Sequence, residues 1–154
     1  MLINNDDDND MMPDMGAVAS KVDFMVIKGK LEQELSQMTE DEAKEFLAEF
    51  NITASAMDRV IKKSYDILGL ISFFTVGEDE VRAWTVRKDT HALDAAEVIH
   101  SDIKKGFIRA EVVSYTDLMD AGSHQAAKKK GTVRLEGKTY PVQDGDIINF
   151  RFNV

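Results

Sequence analysis

Cysteine is absent from the 154-residue chain. That rules out a disulfide framework, a thiolate metal site and a cysteine nucleophile, and it suits a cytosolic protein. Proline occurs twice, as Pro13 in a polar, acidic stretch read as a solvated loop and as Pro141 at a strand end. Positive charge is scarce: 19 Lys and Arg stand against 28 Asp and Glu, a formal charge of -9. Affinity for phosphate backbones rests on Lys and Arg displacing counterions, so the charge argues against indiscriminate nucleic-acid binding and leaves room for a local basic patch. No apolar run approaches the roughly 20 residues that span a bilayer. The front of the chain carries Asp6, Asp7, Asp8, Asp10 and Asp14, the opposite of a signal or transit peptide. His91, His100 and His124 lack H-x3-H or HExxH spacing, so no zinc site is patterned.

What is present suffices for a folded core. The hydrophobic content is 44%, and the length fits one large domain or two small ones. Met1–Ile3 reads as the stub of a strand, and Val22–Ile27 as a short, buried, continuously apolar strand of parallel-sheet type. Leu31, Leu35 and Met38 then keep helical spacing. Thr39 with Glu42, and Ser55 with Asp58, are capping-box signals that start two further helices. The first is expected to bury Ala43, Phe46, Leu47 and Phe50. The second is expected to bury Met57, Val60, Ile61, Ser64, Tyr65 and Leu68, and to end near Gly69. Beyond Gly69 the period changes. Ile71–Val76 and Val81–Arg87 read as strands about a turn, Ala92–Ile99 as a short helix, and Phe107–Tyr115 as a half-buried alternating strand. Short helical turns flank Gly122. Glu136-Gly137 predicts a tight hairpin between Val133–Leu135 and Lys138–Tyr140, and Ile147–Phe152 is the last strand. Gly106 and Gly145 are expected at positive φ. Strands wrapped around one helix over about 80 residues fit an α+β, β-grasp domain.

Candidate chemistry is sparse. The aspartate-rich segment misses the calcium-loop pattern, lacking its Gly and distant Glu, and reads as a solvated loop or a hard-cation site. Lys28-Gly29-Lys30, between a strand and a helix, reads as an anion site at a helix start or as an ordinary loop. His100 lies beside Asp102, but no nucleophile is patterned with the pair, and the histidine reads as a cap on the preceding helix or as filling a polar niche. Basic islands occur at Arg82, Lys104, Lys105, Arg109 and Lys128-Lys129-Lys130, with Trp84, Phe107 and Tyr115 interleaved. They read either as a solvated face or as an RNA-binding sheet that uses phosphate contact and stacking. No residue is assigned a catalytic role, and nothing marks DNA specificity.

Four ordered segments add a resemblance: Glu80–Val86, His100–Val112 (HSDIKKGFIRAEV), Tyr140–Asp146 and Asn149–Val154. Together they resemble the TGS domain that closes the YchF group of Obg-like ATPases. The resemblance implies a truncated remnant of an α/β P-loop G domain at 1–38, linking helices at 39–69, and a β-grasp, ubiquitin-like TGS domain at 70–154. It implies a C-terminal fragment of a cytoplasmic, ribosome-associated nucleotide-binding ATPase or GTPase. The alternative is a freestanding TGS module for RNA, the ribosome or a small nucleotide. ATP or GTP with Mg2+ would belong to the longer parent, which would supply the missing G domain in cis. The family's base-reading NxxE motif maps onto Asn5 and Asp8, or in another register onto Asn4–Asp7. Its base-binding loop maps onto Lys28, Gly29 and Lys30, and His100 opens the central TGS run. Hydrolysis needs a cradle of the type G-x-x-x-x-G-K-[ST], which this sequence lacks, so the chain alone is expected to be inactive. A strand at Phe24–Ile27 whose partners lie in a missing domain leaves residues 1–30 poorly packed or paired with another copy.

Overall fold

Both capping boxes form in the computed structural model, which describes residues 1–6, 9, 11–16, 22–49, 52, 54–77 and 79–153. The Thr39 amide donates to Glu42 Oε2 at 2.8 Å, and the Glu42 amide returns to Thr39 Oγ1 at 3.4 Å, opening helix α2 (Glu40–Glu49). The Thr39 amide and the Thr39 hydroxyl both donate to the Glu42 carboxylate and hold it below its ordinary range. The Asp58 amide donates to Ser55 Oγ at 3.1 Å and opens α3 (Ala56–Leu68), which stops at Gly69 with φ of +64°. The chain divides into two compact units, Met1–Ser64 and Tyr65–Val154. Among the described residues no helix is long and apolar enough to cross a membrane.

In the first unit, β1 (Leu2–Asn4) runs parallel to β2 (Met25–Ile27), followed by α1 (Gly29–Leu35), α2 and the start of α3. The expected strand at Val22–Ile27 is shorter and only half-buried, because a two-stranded ribbon covers little of either face. Leu35 and Ala56 are buried, while Ala43, Phe46 and Leu47 are half-covered; Phe50 lies outside the described residues. The expected face of α3 is not the packed one. Met57, Ile61 and Leu68 are 70%, 52% and 61% exposed, and Ser64 is exposed as well; Val60 and Tyr65 are half-buried. Polar anchors set the helix's rotation instead. Glu32 Oε1 accepts the Ala56 amide at 2.6 Å, Arg59 donates to the Val26 carbonyl at 3.1 Å, and Lys63 pairs with Asp23 at 3.0 Å. They turn the Ala56–Val60–Lys63 stripe inward, at the helical spacing that puts residues on one side.

The second unit is a mixed α+β structure. Its order is β3 (Leu70–Val76), β4 (Val81–Arg87), α4 (Ala92–Ile99), α5 (Ser101–Lys105), β5 (Phe107–Ser114), α6 (Tyr115–Ala121), α7 (His124–Lys130), β6 (Arg134–Glu136) and β7 (Asp146–Phe152). The five-stranded sheet runs β4-β3-β7-β5-β6. The central β7 is parallel to β3, and the other pairings are antiparallel. On one face Ile71, Phe73, Val86, Ala110, Val112, Ile148 and Phe150 pack with Ala92, Ala95 and Ala96 of α4. Alanine at those helical positions lets the backbone come close to the sheet, and Phe150 meets Phe73 and Phe107 edge-on at 6.2 and 6.0 Å. On the other face α6 and α7 cover Val113, Ile147 and Phe74 with Leu118, Ala121 and Ala127.

Three expectations are corrected here. Strict alternation along β5 fails at its start, because a bulge between Phe107 and Arg109 exposes Ile108 and brings Phe107 onto the face of Ala110 and Val112. The hairpin at Glu136-Gly137 does not form. Its return segment instead caps α4: the Ala92 amide donates to the Tyr140 carbonyl at 2.8 Å, and the Leu93 amide to the Lys138 carbonyl at 3.2 Å. Those carbonyls satisfy the helix's orphan donors, and β6 pairs with β5 alone. Gly145 has φ of +79°, but Gly106 has φ of -88°. Glycine is required at 106 for space, since a Cβ there would lie 2.1 Å from the Asn153 carbonyl oxygen. Gly106→Ala should therefore cost about 2 kcal/mol through forced displacement of β7's end. Urea unfolding measures it, and an unchanged midpoint would contradict the argument.

Candidate functional site

The expected site residues fall in both units. In the first, the end of β1 lies against the loop that starts α1. Asn4 Oδ1 accepts the Gly29 amide at 2.8 Å, and a Cβ on residue 29 would stand 2.9 Å from that oxygen. Glycine thus admits the asparagine to the loop. The Asn5 side chain is directed to its own segment: Nδ2 donates to the carbonyls of Asn9 and Met11 at 3.1 and 2.9 Å. Asp8 lies outside the described residues. Lys28 precedes α1 and lines a cavity of about 220 Å³ with Val26, Leu31, Glu32 and Arg59, and Lys30 is in the first turn. The structure therefore brings Asn4, rather than Asn5, to the Lys28-Gly29-Lys30 loop.

The basic islands of the second unit differ in what surrounds them. Lys104 is spent on Asp94 at 3.0 Å and on Glu97, and these hydrogen bonds, Glu97 first, raise its pKa. Lys105 pairs with Asp102 at 3.4 Å. Arg82 stacks 4.1 Å from the Trp84 ring centre, while Trp84 Nε1 donates to Thr75 Oγ1 at 2.9 Å. Lys130 donates to the Asp120 carbonyl at 2.8 Å, and Lys129 is exposed on α7. His100 is the N-cap of α5: Nδ1 accepts the Asp102 amide at 3.1 Å. Its side chain thus caps the helix that follows it, not the one before it.

The residue that organises the site did not stand out in the sequence. Glu111 sits mid-strand on β5, 4% exposed, and collects cations from two elements. Arg151 of β7 bonds its Oε2, while Lys128 of α7 reaches Oε1 at 3.3 Å and His124 Nε2 stands 3.8 Å from the same oxygen. Burial pushes the carboxyl's pKa up, but the hydrogen bonds and charges of Arg151 and Lys128 outweigh it and hold the group below 4.5. A cavity of about 180 Å³ opens beside it, walled by Val76, Leu118 and Ile147, with His124 and Asn149 at its polar side. The available signal was a lone acid among Ala110, Val112 and Val113, a position that burial tolerates only with partners.

Asp146 is a second buried carboxylate, 2% exposed, with a different purpose. Its Oδ2 accepts the Tyr140 hydroxyl at 2.8 Å and the Gln143 amide at 2.9 Å, fastening the segment that caps α4. Burial, then the bond to Asp146 and its charge, push the Tyr140 phenol up to about 12. Asp146 is thereby committed to the fold, whereas Glu111 holds its cations at an open surface.

Comparison with known proteins follows the same ground. The YchF-GTPase_C family, described as a protein of unknown function (DUF933), matches residues 70–153. The ribosome-binding ATPase YchF of Bacillus subtilis is 49% identical over 138 residues, which is 90% of this chain and 38% of that protein. Obg-like ATPase 1 of Gallus gallus is 50% identical over 125 residues, covering 81% and 31%. The solved YchF GTPase of Schizosaccharomyces pombe superposes with a TM-score of 0.72 at 39% identity, covering 83% of this chain and 34% of that one. The chain thus spans between 31% and 38% of the length of these relatives.

Proposed function

This chain belongs to the YchF-GTPase_C family, and from that membership we propose that it is the ribosome-docking, C-terminal part of a YchF-type nucleotide-binding ATPase. Residues 1–38 are read as the end of a G domain, 39–69 as linking helices, and 70–154 as a TGS domain of β-grasp type. The observation that carries the reading is the match to proteins named ribosome-binding ATPases, which extends through both units at 49% identity. The mixed sheet with α4 on one face supports the β-grasp assignment.

Of a nucleotide site, these residues fit the base and not the phosphates. The Asn4–Gly29 contact builds a close, rigid corner beside Lys28 and Lys30, with Asn5 and Asp8 following in sequence. It supplies amide donors and acceptors and a loop at the start of a helix, the chemistry a purine edge needs. ATP or GTP with Mg2+ would be held on its phosphate side by a G-x-x-x-x-G-K-[ST] cradle, and this sequence has none. This chain's own part is to bind the base and to dock, and hydrolysis belongs to the longer protein.

The test is co-sedimentation of the chain with purified ribosomes across a salt series. The chain should pellet at low salt and be released progressively as salt rises, because phosphate contacts release counterions. A chain that stays in the supernatant at every salt concentration sinks the reading.

A further inference from the structure

Helices α6 and α7 pack over Val113, Ile147 and Phe74, and further along the same face β5 and β7 carry exposed cations. Arg109 on β5 and Arg151 on β7 are directly registered partners. Like charges set opposite each other in an antiparallel ladder cost stability. Glu111, the next residue of β5 on that face, draws Arg151 and Lys128 to itself. Arg109 is left with a marginal 3.5 Å contact to the Ile108 carbonyl. One buried carboxylate therefore faces Arg109, Arg151 and Lys128, a local positive excess on a chain whose formal charge is -9. Leu135, registered against Glu111 on β6 and 60% exposed, borders the patch, and Asn149 faces Glu111 from β7.

We propose that this part of the face binds RNA through its phosphates, with Arg109 as the contacting group and Glu111 as a positioning residue that fixes Arg151 and Lys128. The assignment rests on the ribosome-docking reading above and gives it a surface. Guanidinium forks match pairs of phosphate oxygens, and an anion set between Arg109 and Arg151 turns their repulsion into shared attraction. The row Arg109, Arg151, Asn149, Leu135 offers no aromatic ring for stacking. Contact is therefore with the backbone and independent of base sequence. The Lys104-Lys105 island, equally basic in sequence, is neutralised by Asp94, Glu97 and Asp102 and takes no part.

Fluorescence anisotropy of a labelled, short, mixed-sequence RNA tests this on the whole chain, using the wild type, Arg109→Glu, Arg109→Lys and Lys105→Glu. The reversed charge at 109 would face Arg151, so the variant keeps its fold. Arg109→Glu should weaken binding about tenfold at low salt and lower the slope of log affinity against log salt by about 1. Arg109→Lys should recover most of the affinity, and Lys105→Glu should bind like the wild type. Equal binding by Arg109→Glu, or equal loss in Lys105→Glu, overturns the assignment. A wild type that sediments with ribosomes but ignores RNA overturns this proposal alone and points to a ribosomal protein as the partner. Failure with both probes overturns the docking reading with it.

Discussion

Phe73→Ala should destabilise the second unit by about 4 kcal/mol, at the level of the larger cavity-forming substitutions known for buried phenylalanines. Phe73 is 0% exposed and is the largest of the fully buried side chains. It lies on β3, between the hairpin partner β4 and the central β7, and meets Phe150 edge-on. The neighbours cannot collapse into the space, because Ala92, Ala95 and Ala96 already hold α4 at close approach and have no longer side chains to swing in. Urea unfolding followed by Trp84 fluorescence reads the loss. Trp84 pairs with Phe73 across the ladder, so the probe reports the affected region directly. A cost below about 1 kcal/mol would mean that the site relaxes and the packing argument fails.

Arg151→Ala should cost about 3 kcal/mol at neutral pH, the lower end of the range for breaking a buried ion pair. The lower end applies because Arg151 is itself half-exposed and Lys128 remains with Glu111. The pH dependence identifies the cause. In the wild type the Glu111 carboxyl titrates below its unfolded value, so its contribution is present above about pH 4.5 and is lost as pH falls through the folded value. Without Arg151 the opposing effect of burial is left against Lys128 and the neighbouring His124, and the acid-side loss should shrink. Stability curves of wild type and variant across the acid range measure this. Parallel curves would show that the pair has no bearing on Glu111's titration.

Local signals were the legible part of this structure. Thr39–Glu42 and Ser55–Asp58 start helices because a cap is satisfied within one turn and needs nothing distant. Strands β3 and β4 and the helix with Ala92, Ala95 and Ala96 also follow from nearby periodicity. What escaped depends on remote partners. The exposed stripe of α3 reflects Glu32, the Val26 carbonyl and Asp23, which lie outside the helix and on no wheel drawn for it. The missing hairpin reflects the demand of α4's amides for the Lys138 and Tyr140 carbonyls. Gly106 is dictated by Asn153, far along the chain. In the site, the basic islands were visible as residue types, but only the structure separates Lys104, already neutralised, from Arg109. Glu111 was hidden by its strand: an acid at an inward position looks like ordinary alternation until Arg151 and Lys128 are seen to converge on it.

The strand order also governs when this sheet can assemble. β7 is its central strand, yet it is made after every other strand of the unit, and without it the sheet order leaves β4-β3 and β5-β6 as two separate pairs. Two-stranded pieces are marginal in water. Until Asp146–Phe152 leaves the ribosome, β3 presents a bare edge along with Ile71 and Phe73, the kind of surface that recruits foreign strands. Joining Phe74 to Ile147 then closes a long loop, the kind of non-local pairing that slows folding. A nascent chain halted before Asp146 would be sticky rather than half-folded, and quality control would meet it as an all-or-none product of its last strand.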